Sequence, residues 1–295
     1  MSQRSGAEGY GSPVKYGVTM FMTDRTIGPA ALGRAVEERG LHSLYLPEHT
    51  HIPLSRKTAP PTGDEVLNDE YKRTLDPLIA LAMCAAVTDR ILLGTGIALV
   101  AQREPIVTAK AIATLDRESH GRFVFGIGFG WNQDELEDHG ISMADRRDVV
   151  RDRVLAMRSL WTDEVAEHHS AHAEIPPSWS WPKPWRSPER KGPPVLIGGA
   201  AGPKMFANIA EYADGWLPIG GAGIKSALPE LARACEEAGR DSSEMRIVPF
   251  GTLPDPGKLD YYASLGIEEV VLRLPGGDAD SVLPILDGFA ELLEA

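Results

Sequence analysis

The residues best suited to chemistry stand together in Pro47-Glu48-His49-Thr50-His51, directly after a short apolar stretch. Imidazole titrates near neutrality and a carboxylate beside it can tune that titration, so Glu48 and His49 form a candidate acid–base pair. His49 and His51 also have the spacing of a two-histidine metal pair. A metal-dependent hydrolase would need further His and Asp ligands at later strand ends. The later stretches end instead in Gly198-Gly199-Ala200 and Pro218-Ile219-Gly220, which offer no ligand. Acid–base work is the stronger reading, with surface or supporting hydrogen bonds as the plain alternative.

Three glycine-bearing corners accompany the pair. The first is Gly94-Thr95-Gly96-Ile97, the second runs from Gly126 to Trp131 and Asn132, and the third is Gly198-Gly199-Ala200-Ala201-Gly202-Pro203. A missing Cβ lets a flat ring or a phosphate approach the backbone closely, although a β-bulge also uses glycine. Trp131 could wall a ring or simply pack, and Asn132 could bond a phosphate or ribityl oxygen. The second corner lacks the spacing of a dinucleotide fingerprint. The third opens a helix with proline in its first turn, so free N–H groups and the positive helix end make an anion site. Together the corners suggest a long, flat, phosphate-bearing cofactor.

The elements that must position these residues alternate regularly. Apolar or β-branched runs fall at 16–21, 43–46, 91–97, 123–127, 195–197, 215–219, 246–250 and 269–274. Helical patterns follow at 30–39, 77–86, 105–119, 146–161, 203–212, 224–238, 258–265 and 281–293, several stopped by glycines such as Gly121 and Gly239. Eight such alternations most simply close into an α/β fold of the (β/α)8 TIM-barrel type, with an open doubly wound sheet as the runner-up. Every corner named above then lies at the strand C-termini, where such barrels bind ligands. Two insertions interrupt the rhythm: 51–74 after the second strand, a candidate lid, and 164–194 before the fifth. The latter carries Trp179, Trp181 and Trp185, expected to cover a barrel end or an oligomer contact. Residues 1–13 are polar and expected to be a disordered tail, leaving 14–295 as one barrel domain.

The formal net charge of −12 argues against a nucleic-acid partner, which demands a dense cationic face. The longest apolar run, 78–87, is too short to span a bilayer, and no secretory signal is visible, so a cytoplasmic protein is expected. Cys84 and Cys235 read as two buried free thiols in a reducing compartment.

Three segments in order, LGTGIALVAQREPIVTAKAIATLDRESHGR, GIGFGWNQDELEDHGISMADRR and PPVLIGGA with ADGWLP, resemble the luciferase-like monooxygenase superfamily, specifically its branch of oxidoreductases dependent on the deazaflavin coenzyme F420. The resemblance runs from Lys15 to about Leu293. It implies a homodimeric barrel whose cofactor ring lies on a bulge at Gly96-Ile97, often with a non-prolyl cis peptide. It further implies that Glu48 and His49 stand near the reacting carbon, with Asn132 and Gly198-Gly199-Ala200 on the cofactor tail. The function it implies is hydride transfer to or from a small organic substrate. The alternatives are an FMN-dependent monooxygenase fed by a separate reductase, and a flavin-binding barrel without turnover. The stretch EHHSAHAEIPPSWSW departs from the family, and Glu48 replaces an aspartate found in some relatives.

Overall fold

The structure is a computed structural model that describes residues 14–60, 66–187 and 190–293. The expected tail, 1–13, lies outside the described residues. Parallel strands form the wall: β1 (Lys15–Thr19), β2 (Ser43–Leu46), β3 (Leu92–Thr95) and β4 (Phe123–Ile127) come first. A separate antiparallel hairpin, β5 (Ala166–His169) and β6 (Glu174–Ser178), follows. The wall resumes with β7 (Val195–Gly198), β8 (Gly215–Leu217), β9 (Arg246–Ile247), β10 (Phe250–Thr252) and β11 (Glu269–Arg273). The hydrogen-bonded order is β10-β11-β1-β2-β3-β4-β7-β8-β9. Its two ends, β9 and β10, are halves of one stave. Val248 N–H donates to Trp216 O at 3.0 Å on one side, while Val271 N–H donates to Pro249 O at 2.9 Å on the other. The sheet therefore closes on itself into the expected eight-staved barrel.

The helices are α1 (Pro29–Glu38), α2 (Pro77–Ala85), α3 (Pro105–Glu118), α4 (Gln133–Asp138), α5 (Arg146–Thr162), α6 (Pro203–Tyr212), α7 (Ile224–Glu237), α8 (Pro256–Ser264) and α9 (Ala279–Glu291). Proline opens α1, α2, α3, α6 and α8, where its missing N–H costs nothing. Asp76 and Glu104 cap α2 and α3 by accepting from the N–H groups of the first turn.

Two apolar layers hold the barrel. Its lumen is filled by Tyr45, Val124, Leu196, Leu217, Val248 and Val271, each from a different stave. A larger layer, with Leu93, Phe125, Ile197 and Leu272 among its strand members, packs outward against the helices. Glycines in the wall make room for these side chains. A Cβ on Gly94 would stand 2.2 Å from the Tyr45 ring, and one on Gly126 would stand 2.0 Å from Thr95 O.

The second insertion covers the end of the barrel opposite the strand C-termini, where Trp185 lies over Gly121 and stacks edge-on with His120 at 5.1 Å. Asp116, fully buried, anchors it by accepting from Trp185 N–H and pairing with both terminal nitrogens of Arg190. The hairpin β5–β6 was not expected there. Cys84 and Cys235 are free and buried, and burial pushes the Cys84 thiol up to about 12. Among the described residues, no helix is long and apolar enough to cross a membrane.

Because the Gly126 position faces a neighbouring carbonyl rather than a yielding side chain, Gly126→Ala should destabilise the fold by about 1–3 kcal/mol or more. Urea unfolding followed by circular dichroism measures this; an unchanged midpoint contradicts the packing described.

Candidate functional site

All staves point their C-termini to one rim, and there a cavity of about 740 Å³ opens. That volume suits a cofactor with a small ligand beside it. Ile97 supplies the floor, and the Gly96–Ile97 peptide bond is cis. A Cβ on Gly128 would stand 2.4 Å from Ile97 Cδ1, and one on Gly198 would stand 2.6 Å from Ile97 Cγ2. A Cβ on Gly96 would stand 2.2 Å from Phe250 Cζ. At these three glycines the space of the missing Cβ is taken by the protein's own side chains, while all three still line the cavity. Their effect is to let Ile97 sink between β4 and β7 and present a flat apolar surface.

The acid–base pair differs from the expectation. His49 Nδ1 lies 2.8 Å from Glu135 Oε2, both side chains being buried, and Thr50 N–H donates to Glu135 Oε1 at 3.2 Å. A carboxylate can only accept, so Nδ1 carries the hydrogen, and in the neutral ring Nε2 is then the acceptor. Glu48, though adjacent in sequence, does another job. Its Oε2 accepts from Leu99 N–H at 2.7 Å and its Oε1 from Arg103 Nε at 2.7 Å. Successive residues of an extended chain point to opposite sides, which keeps the Glu48 and His49 side chains apart. Glu48 lines the cavity but serves to tie the end of β2 to the turn after β3.

Aromatic rings close the wall around His49. Trp131 stands 6.0 Å and Tyr71 5.2 Å from its ring, and Phe21 lies 4.8 Å from Tyr71. Tyr71 comes from the first insertion, in the short 3₁₀ turn Tyr71–Arg73. One arm of that insertion binds α4: Lys57 N–H donates to Asp134 Oδ2 at 2.6 Å and His51 pairs with Asp138 at 3.0 Å. The other arm binds the β1–α1 loop through Arg73 to Asp24 at 2.8 Å and Leu75 N–H to Met22 O at 2.9 Å. Of the insertion's described residues, Glu70 and Tyr71 line the cavity. The Glu70 carboxyl on its inner side is pushed up by burial.

Gly198, Gly199 and Ala200 line the cavity together with the opening turn of α6, which has no side-chain cap. Trp131 lines it too. Asn132 does not: it is buried at the head of α4, and neither atom of its amide has a hydrogen-bond partner. Three functional candidates escaped the sequence reading, namely Glu135, Arg146 and Arg147, the two arginines lining the cavity at the start of α5. The only signal for Glu135 was the acidic pair Asp134-Glu135 shortly after the second glycine corner.

Glu48→Gln sets an NH₂ group against the Arg103 guanidinium and should cost about 2–4 kcal/mol of stability, the range for halving a buried ion pair. Urea titration checks this; a shift no larger than that of a surface substitution contradicts the clamp.

The profile of the luciferase-like monooxygenase family matches residues 29–253. An uncharacterised protein of Mycobacterium tuberculosis is 43% identical over 281 residues, 94% of this chain and 98% of that one. A monooxygenase of Streptomyces bottropensis superposes with a TM-score of 0.74 at 22% identity, covering 95% of this chain and 99% of its own. An F420-dependent secondary alcohol dehydrogenase bound to an F420–acetone adduct gives 0.70 at 18% identity, covering 95% and 98%. The two structural likenesses speak to fold alone, whereas the profile and the mycobacterial relative cover sequence. This chain belongs to the luciferase-like monooxygenase family, with its barrel fold and its oxidoreductase character.

Proposed function

We propose that this chain transfers hydride between coenzyme F420 and a small organic substrate, with His49 handling the coupled proton. One observation carries the reading: an imidazole oriented by the buried Glu135 carboxylate borders a cavity floored by a flat apolar residue. The residues fit a ring with an anionic tail. Ile97 offers a face for a planar ring, Trp131 a side wall, and the uncapped first turn of α6, beside Ala200, offers N–H groups for phosphate. When bound, the deazaflavin would supply two-electron chemistry at a ring carbon.

The chain's own contribution is proton management. With Nδ1–H held by Glu135, the His49 Nε2 would take the proton of a substrate hydroxyl during oxidation, or return it during reduction. Glu135 balances the imidazolium so formed and fixes the ring's orientation. The lid and the rings of Phe21, Tyr71 and Trp131 exclude water from the reacting groups. An FMN-dependent monooxygenase served by a separate reductase is the second reading, favoured by the likeness to the Streptomyces monooxygenase.

A homodimer accompanies the proposal. Ile79 and Met83 on α2, with Ile106 and Val107 on the neighbouring α3, are exposed apolar residues that a second copy would cover.

Purified protein titrated with F420 and with FMN should bind F420 at micromolar concentration; FMN binding without F420 binding overturns the cofactor choice. Oxygen consumption with supplied reduced FMN identifies the monooxygenase. His49→Ala should lower turnover about 10²–10⁴-fold while leaving cofactor affinity within a few-fold. Unchanged turnover would remove His49 from the mechanism. Ile79→Asp with Val107→Asp should yield monomers in sedimentation velocity, and a persisting dimer moves the interface elsewhere.

A further inference from the structure

The rim of the cavity treats its cations unequally. Arg103 is paired with Glu48 and Asp76, Arg73 with Asp24 and Asp69, and Arg273 stands 3.7 Å from Glu70. Arg146 and Arg147, which line the cavity, have no carboxylate partner among the described residues. Among the described residues, Arg146 donates to its own turn, at Met143 O, and its Nε is buried without a partner. Arg147 lies 4.1 Å above the Phe129 ring, and its Nη1 is likewise buried and unpartnered. The chain holds 42 acidic residues against 30 basic ones, so two guanidiniums left unpaired in one cavity wall do not follow from a shortage of carboxylates.

Their location narrows the ligand. α5 and α6 pack side by side, and as barrel helices both begin at the strand C-terminal rim. The arginines at the head of α5 therefore flank the uncapped first turn of α6, and Lys204 of that turn also lines the cavity. Burial, then the charge of Arg146, pulls the Arg147 guanidinium below its ordinary range, as befits a cation without a counter-charge. A single phosphate on the α6 turn would leave the second cationic surface unused.

We infer that Arg146 and Arg147 form a second anion subsite, which accepts the carboxylates beyond the phosphodiester in a cofactor tail and so selects a tail with two separated anionic groups over the lone phosphate of FMN. This rests on the deazaflavin reading above. Guanidinium suits the task because it holds carboxylate with two parallel hydrogen bonds.

The test compares F420 with its tail-less deazaflavin nucleoside by fluorescence titration of the wild type, Arg147→Ala, Arg147→Lys and Arg146→Ala, each first shown to melt as the wild type does. Arg147→Ala should weaken F420 about tenfold, as for one charge-assisted hydrogen bond, and leave the nucleoside within about twofold. Arg147→Lys should recover part of the loss. F420 binding unaffected by both alanine variants, or equal weakening of both ligands, overturns the subsite. Inorganic pyrophosphate in a thermal-shift assay keeps the two claims separate. If the wild type binds no F420 yet pyrophosphate raises its melting temperature and fails to do so in Arg147→Ala, the subsite stands and the cofactor reading falls. If pyrophosphate acts equally on both, the subsite falls.

Discussion

The site depends on one buried carboxylate that is not itself in position to react. Glu48 accepts from Leu99 N–H and from Arg103, and so ties the end of β2 to the turn that follows β3. That turn carries Ile97, and the clamp holds it over the gap left by Gly128 and Gly198. A carboxylate taken out of water needs most of its lone pairs satisfied, and here a backbone donor and a guanidinium do so. Arg103 in turn reaches Asp76, the cap of α2, so the clamp extends from the cavity floor to the lid-side helix.

Around that floor the barrel converts sequence distance into proximity. His49 follows β2, Glu135 sits in α4 after β4, Tyr71 comes from the first insertion, and the uncapped first turn of α6 follows β7. The short α4 matters more than its six residues suggest. Its inner side presents Glu135 to His49, while Asp134 and Asp138 receive the lid arm.

Much of the fold was legible because its signals are local. Prolines at helix starts, glycines at helix ends and short β-branched runs gave the order and nearly the bounds of the barrel elements. The hairpin β5–β6 was not legible, since Pro176 and Pro177 fall inside β6 and argue against a strand. In the site, His49 was visible from its type and place, but its partner was not. Glu48 is adjacent in the chain and therefore faces elsewhere, while Glu135 is 86 positions away and becomes a neighbour only when β2 and β4 are set in one wall. The glycine corners were rightly located, yet a missing Cβ does not reveal what fills its space; at Gly96, Gly128 and Gly198 the answer is Phe250 and Ile97.

The account stands most directly on where a deazaflavin ring lies. A crystal structure of the protein grown with F420 measures it. The account predicts the ring against Gly96-Ile97, with His49 Nε2 facing the reacting carbon and the tail running toward α5 and α6. A ring bound outside this rim, or one whose reacting carbon faces away from His49, would contradict it.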